Sequence, residues 1–133
     1  MRTELFALAL WALAGAAAAQ PQPPLIAEPL GLDPSYNATV LTVVLPPNAK
    51  QPATTAGMPG HRHPGSTFAY VVQGEVVNRL GDAPERRYKA GEAWSETPGQ
   101  AHYIVNASAT APARIAVVMV TPKAAAALTE PLK

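Results

Sequence analysis

Short apolar runs separated by prolines and glycines restrict the fold of this chain more than any other feature. The 133 residues include 15 prolines and 9 glycines, and the runs between them are rich in β-branched side chains. Such runs, bounded by turn-forming residues, predict β-strands. Strands are predicted at 39–45, 67–72, 76–80, 85–89, 93–96, 101–106 and 113–121. Short strands at near-regular spacing predict one all-β, antiparallel sandwich or barrel and give no support to a helix-based α/β fold.

Charge and cysteine content exclude several classes of function. The net charge is +1, and the sequence has no basic stripe that would neutralise the phosphates of a nucleic acid. Cysteine is absent, which excludes disulfides, thiolate metal sites and cysteine nucleophiles. A bound metal would therefore use imidazole, carboxylate or water as its ligands.

The first 19 residues have the pattern of a secretory signal peptide. Arg2 is followed by an apolar run at 5–13 and by three small residues at 17–19, so cleavage is predicted between Ala19 and Gln20. The competing interpretation is a retained membrane anchor, but the apolar stretch at 5–19 is shorter than the ~18–20 residues that span a bilayer. We expect a secreted or periplasmic protein with no stable membrane anchor.

The remaining sequence divides into three parts. Residues 20–38 begin with four prolines in ten positions, which predicts an extended, poorly ordered N-terminal arm. Residues 39–122 hold the predicted strands and form the barrel domain. Residues 123–133 are a short C-terminal tail, in which the alanines at 124–127 suggest a single helical turn over 123–129.

All three histidines of the chain fall where one metal ion can collect them. His61 and His63 form an H-x-H pair, and alternate residues of a strand place their side chains on one face. His102 belongs to a different predicted strand and can complete a facial set of three imidazoles. Arg62, between the paired histidines, is expected to point to the opposite face.

These histidines and the turn residues around them resemble the two motifs of the cupin superfamily. The first motif is matched by Gly57 or Gly60, His61, His63 and Gly74. The second is matched by Gly91, Gly99, His102 and Asn106, with its proline displaced by one position to Pro98. The resemblance covers roughly 40–120 and implies an antiparallel double-stranded β-helix, or jelly roll. It also implies that His61, His63 and His102 are metal ligands and that Asn106 is structural. Thr67, or Phe68 at the longer spacing, stands where cupins carry a glutamate ligand.

The resemblance implies one divalent transition metal, with Fe, Mn, Ni, Zn and Cu all compatible with imidazole ligands. Without the glutamate ligand, the set looks like that of the dioxygenase branch, which implies a metal-dependent enzyme acting on a small anionic molecule. The alternatives are a non-catalytic module that binds a metal or a small ligand, a metal-free barrel that binds an organic ligand, and a structural scaffold. We expect a homodimer, because exposed edge strands need protection and the N-terminal arm can reach a second subunit.

Glu96 is a carboxylate of the second motif region that stands six residues before His102, across the Pro98-Gly99 turn. Two functional roles remain open: a displaced fourth metal ligand, or a catalytic general acid or base beside the metal. The third interpretation is an exposed glutamate at a strand end, which is the usual environment of this residue type.

Overall fold

The computed structural model describes residues 20–21, 26–29, 31, 33–48, 50–51 and 60–132. The predicted signal segment, residues 1–19, lies outside them, as does Gly57 of the first motif. The strands are β1 (Gln20–Pro21), β2 (Ile26–Pro29), β3 (Tyr36–Leu45), β4 (Lys50–Gln51), β5 (His61–Arg62), β6 (Ser66–Gln73), β7 (Glu75–Leu80), β8 (Arg86–Lys89), β9 (Ala93–Glu96), β10 (Ala101–Asn106), β11 (Ala113–Pro122) and β12 (Glu130–Pro131).

These strands form two antiparallel sheets of six strands each. One has the order β1-β3-β11-β6-β9, with β2 also paired to β3, and the other has the order β12-β5-β10-β7-β8, with β4 also paired to β10. All pairs are antiparallel, and no described residue is helical, so the predicted all-β double-stranded β-helix is confirmed. No helix of the described chain is long and apolar enough to cross a membrane.

The core lies between the two sheets and follows the period-two alternation of the strands. In β6, the inward residues Ala69 and Val71 are buried, whereas Phe68 and Tyr70 between and beside them are about half exposed. The buried apolar residues are Leu45, Ala69, Val71, Val76, Tyr88, Trp94, Ile104, Ala113, Ile115, Val117 and Met119. The inward faces supply a continuous apolar core, as expected for a two-layer β-domain.

The segments at the two ends of the domain pair with its strands. In the described parts of the N-terminal arm, β1 and β2 both lie against β3. The helical turn predicted over 123–129 is wrong. The segment forms a turn closed by a hydrogen bond from Ala125 N to Pro122 O, 3.0 Å long, and then continues into β12. A few alanines are too short a run to overcome helix nucleation, and β12 can pair with β5 instead.

Candidate metal centre

The interior of the sandwich changes from apolar to polar along three strands, β6 and β9 of one sheet and β10 of the other. The buried series runs from Val71 to Thr67 in β6, from Trp94 to Glu96 in β9, and from Ile104 to His102 in β10. The strand registers collect the polar ends, because Thr67 pairs with Glu96, and His102 pairs with His61. The candidate site lies at this polar end of the interior.

The three histidines converge there, as the sequence predicted. His61 and His102 face one another on β5 and β10, and their Nε2 atoms are 2.6 Å apart. His63 follows β5 directly, and its Nε2 atom lies 3.2 Å from that of His61. All three side chains are buried, and their nearest nitrogens lie within 4.8 Å of one another. Arg62 points outward, as expected, where it forms an ion pair with Glu130.

Backbone contacts hold His63 from two sides. Its Nδ1 atom lies 2.6 Å from the carbonyl oxygen of Leu128, so Nδ1 must carry the ring proton and donate it. Its own carbonyl oxygen accepts a hydrogen bond from Gly99 N, 2.8 Å long. Gly99 has a positive φ of 74°, which glycine adopts without strain. The turn before β10 and the segment before β12 therefore fix the ring whose Nε2 faces the site.

Glu96 is buried, and the expectation of an exposed strand-end glutamate is wrong. Its side chain is 2% exposed, and its Oε1 atom accepts a 2.8 Å hydrogen bond from Trp94 Nε1. Its Oε1 lies 3.4 Å from His102 Nδ1 and its Oε2 lies 3.7 Å from His63 Nε2. The alternation of β9 places Trp94 and Glu96 on the inward face, and this tertiary environment has no signature in the local sequence.

Burial sets the protonation of the site. Desolvation and then the neighbouring His63 lower the pKa of His61 to about 3. Desolvation, His61 and His63 lower the pKa of His102 to about 2. Desolvation also lowers the pKa of His63, while its hydrogen bond to Leu128 opposes this shift. Burial raises the pKa of Glu96 to about 7, and the Trp94 hydrogen bond opposes it. The rings are therefore neutral at neutral pH, the form that binds metals.

The arrangement of ring nitrogens fits a metal ion. Because His63 donates through Nδ1, its Nε2 presents a lone pair to the centre. A neutral His61 ring has one N–H and cannot donate to the Nε2 atoms of both His63 and His102. A divalent cation accepts lone pairs from all three rings, and the 3.2 Å spacing resembles the roughly 3 Å between adjacent nitrogens that bind one metal at ~2.1 Å.

Asn106 has the structural role implied by the resemblance. Its Nδ2 group donates to the carbonyl oxygens of Leu45, Pro46 and Ala111 at 2.9–3.0 Å. Its Oδ1 atom accepts from Ser108 N at 2.8 Å. Asn106 thus joins the end of β10 to the end of β3 and to the loop before β11, and takes no part in the histidine cluster.

Comparison with known families assigns the fold described above. A family model for the cupin domain matches residues 42–120, which is more than half of the chain. The chain belongs to the cupin family. No curated protein matches this cupin.

Similar solved structures show the same fold at low sequence identity. One is a protein with a double-stranded β-helix domain from Klebsiella pneumoniae, with 21% identity, a TM-score of 0.58, and coverage of 97% of this chain and 99% of that chain. Oxalate decarboxylase from Bacillus subtilis has 20% identity and a TM-score of 0.58, over 74% of this cupin and 24% of that chain. A DMSP lyase from Ruegeria pomeroyi has 22% identity and a TM-score of 0.52, over 69% of this cupin and 41% of that chain.

Proposed function

We propose that this cupin binds one divalent transition metal through His61, His63 and His102 and acts as a metal-dependent, dioxygenase-like enzyme on a small anionic molecule. The observation that carries the proposal is the convergence of three buried, neutral imidazoles. Each neutral ring has only one N–H, so no arrangement of the ring protons gives every facing lone pair a hydrogen-bond donor. A divalent ion held there supplies positive charge for an anionic ligand and lowers the pKa of a bound water.

The interior next to the histidines supports a small polar ligand. The Thr67 hydroxyl and both polar atoms of Asn78 are buried and have no hydrogen-bond partner within the described part of the protein. Asn78 pairs with Ile104 in β10, next to the Leu80–His102 pair, and faces the same interior. Buried polar groups normally have partners, so these atoms are available to the polar atoms of a ligand. Two of the similar structures are named for small molecules, oxalate and DMSP.

Metal content of the purified protein tests the first half of the proposal. We expect elemental analysis to find about one Fe, Mn, Ni, Zn or Cu ion per wild-type chain and far less in His102→Ala, because the remaining two imidazoles leave the site open. A wild-type protein without stoichiometric metal after loading with Fe(II), Mn(II), Ni(II) and Zn(II) would contradict the metal proposal and favour a metal-free barrel.

Turnover separates an enzyme from a binding module. Oxygen consumption should be measured with the metal-loaded protein and a panel of small carboxylates, diketones and thiols. The enzyme proposal expects uptake that disappears in His63→Ala. Tight metal binding without turnover across the panel would favour the alternative, a module that binds a metal or small ligand without catalysis.

We propose export and cleavage of residues 1–19, which the signal-like sequence supports. Intact-mass measurement of protein recovered from the periplasm or medium should give a chain that begins at Gln20. A full-length chain confined to the cytoplasm would contradict this.

We also propose that the protein is a homodimer. Phe68, Tyr70 and Val72 form an outward row along β6, each about half exposed, and Val118 of β11 lies opposite Phe68. Contiguous exposed apolar side chains of this kind mark association surfaces. Sedimentation analysis should give a dimer for the wild type and a monomer for Phe68→Ser/Tyr70→Ser, with Lys123→Gln as an exposed control elsewhere. A monomeric wild type would contradict the proposal.

A further inference from the structure

The carboxylate of Glu96 has one oxygen engaged and one oxygen unpartnered. Oε1 accepts the hydrogen bond from Trp94 Nε1, whereas Oε2 is buried and has no hydrogen-bond partner in the described part of the chain. A buried carboxyl oxygen normally has a hydrogen-bond partner or a cation beside it. The Trp94 indole supplies one donor and no charge.

The unpartnered oxygen faces a second lone pair. Oε2 lies 3.7 Å from Nε2 of His63, and that nitrogen carries no proton because Nδ1 of the same ring donates to Leu128. At 3.7 Å the two atoms are beyond hydrogen-bonding distance. Oε2 of Glu96 therefore lies beside Nε2 of His63, and that nitrogen is itself 3.2 Å from Nε2 of His61. A cation between the carboxylate and the ring accepts an electron pair from both.

We propose that Glu96 is the fourth protein ligand of the metal and binds through Oε2. The inference rests on the proposed metal centre. It adds one anionic ligand to the three neutral histidines. Glu96 lowers the net charge of the bound centre from +2 to +1. In a six-coordinate ion the four protein ligands leave two positions open, enough for a bidentate anionic ligand or for one monodentate ligand and water.

The strand register provides a matched position for testing the ligand. Thr67 lies directly opposite Glu96 in the β6–β9 pair, and both side chains point into the same interior. Opposite residues in an antiparallel pair have Cβ atoms about 5 Å apart. A glutamate at 67 can therefore reach nearly the same point as the carboxylate at 96. The Thr67→Glu/Glu96→Thr exchange keeps the composition of the site while it moves the carboxylate across the strand pair.

The test measures Co(II) and Zn(II) affinity of the full chain by competition with a chromophoric chelator, together with the visible absorption of bound Co(II). Glu96→Gln keeps the side-chain volume and an oxygen that accepts from Trp94. We expect its affinity to fall by more than ~100-fold, with a changed Co(II) spectrum, because removal of a group outside the ligand set costs only ~10–100-fold. We expect Glu96→Thr to lose affinity similarly and the exchange variant to recover to within ~10-fold of the wild type.

Each outcome decides one of the two proposals. Glu96→Gln with a wild-type Co(II) spectrum, whether its affinity is unchanged or modestly lower, overturns the ligand assignment and leaves the three-histidine centre intact. A wild-type protein that binds neither metal overturns the proposed function itself. Thermal denaturation of each metal-free variant confirms folding, and His63→Ala defines the affinity of a centre that lacks a histidine. If Glu96→Gln does not fold, the exchange variant is compared with Glu96→Thr, provided that both fold. An exchange variant that binds metal no more tightly than Glu96→Thr also overturns the assignment.

Discussion

The imidazole of His63 is held by the main chain of Leu128, whose carbonyl oxygen lies 2.6 Å from Nδ1. The bond fixes the tautomer that presents Nε2 to the other two histidines. Leu128 belongs to the segment that leads into β12, and β12 in turn pairs with β5, the strand of His61. The C-terminal segment therefore helps to shape the site although it contributes no side-chain ligand.

We expect a chain that ends at Ala127 to bind Zn(II) about 10–100-fold more weakly than the full chain, because His63 loses the acceptor of its Nδ1 proton. Chelator competition measures the loss. The matched control ends at Thr129, which removes β12 but keeps the Leu128 carbonyl, and its affinity should stay within ~3-fold of the full chain. Equal losses in both truncations would show that the β5–β12 pairing, and not the Leu128 carbonyl, supports the site.

The metal-free protein should lose stability as the pH falls from 6.5. His61 and His102 have pKa values of about 3 and about 2 in the folded protein, against 6.5 for the unfolded chain. At pH values between the folded and unfolded pKa values, the unfolded chain binds more protons than the folded protein, so the free energy of unfolding rises with pH. Glu96 opposes this between pH 4.5 and about 7, because its raised pKa makes the folded state bind the extra proton. Three histidines outweigh one glutamate, so the net slope is positive.

Urea denaturation of the metal-free protein at pH 7.5 and 5.5 checks this slope. We expect a lower midpoint at pH 5.5, and a smaller difference between the two pH values in His102→Gln. A midpoint that is higher at pH 5.5 would show that Glu96 and not the histidines dominates the pH dependence of folding.

Asn78→Leu should make the protein more stable and less able to bind its ligand. The amide is 2% exposed with both polar atoms unpartnered in the described protein, so an apolar side chain of similar size removes a desolvation penalty of ~1–2 kcal/mol. Denaturation should show the gain, while a ligand that uses the amide should bind more weakly. A loss of stability would indicate that the amide already has a water or protein partner in solution.

Asn106→Ala should lower the free energy of unfolding by about 3 kcal/mol, because three backbone carbonyls lose their shared donor inside the protein. Ser108→Ala is the control in the same loop. Its hydroxyl oxygen accepts from Thr110 N and Ala111 N at an exposed position, so we expect a loss below ~1 kcal/mol. Equal losses in the two variants would contradict the structural role of Asn106.

Alternation and turn residues predict most of the fold and the three histidines. Ala93–Glu96 and Ala101–Asn106 have the predicted bounds, because Gly91 precedes the first strand and the Pro98-Gly99 turn separates the two. Alternation placed His61 and His63 on one face, and the resemblance to the second cupin motif added His102 to them. Thus the part of the site set by local periodicity was accessible from the sequence.

Contacts that depend on tertiary packing could not be predicted from the local sequence pattern. The Leu128 carbonyl is a backbone group that any residue type provides, so nothing in the sequence marks it as a partner of His63. The burial of Glu96 depends on Trp94 and on the packing of one sheet over the other. Residues 123–129 were wrongly predicted to form a helical turn, since the pairing of β12 with β5 is a long-range interaction.

Thr67 and Glu96 lie opposite each other on paired strands, although they are far apart in the sequence. A carboxylate at either position would therefore lie in the same part of the interior. A pattern that counts residues from the H-x-H pair finds a threonine and scores the set as incomplete. A pattern that follows strand register finds a carboxylate one strand away. The proposed ligand therefore differs from the family motif in its sequence position, while the strand register keeps it beside the motif position.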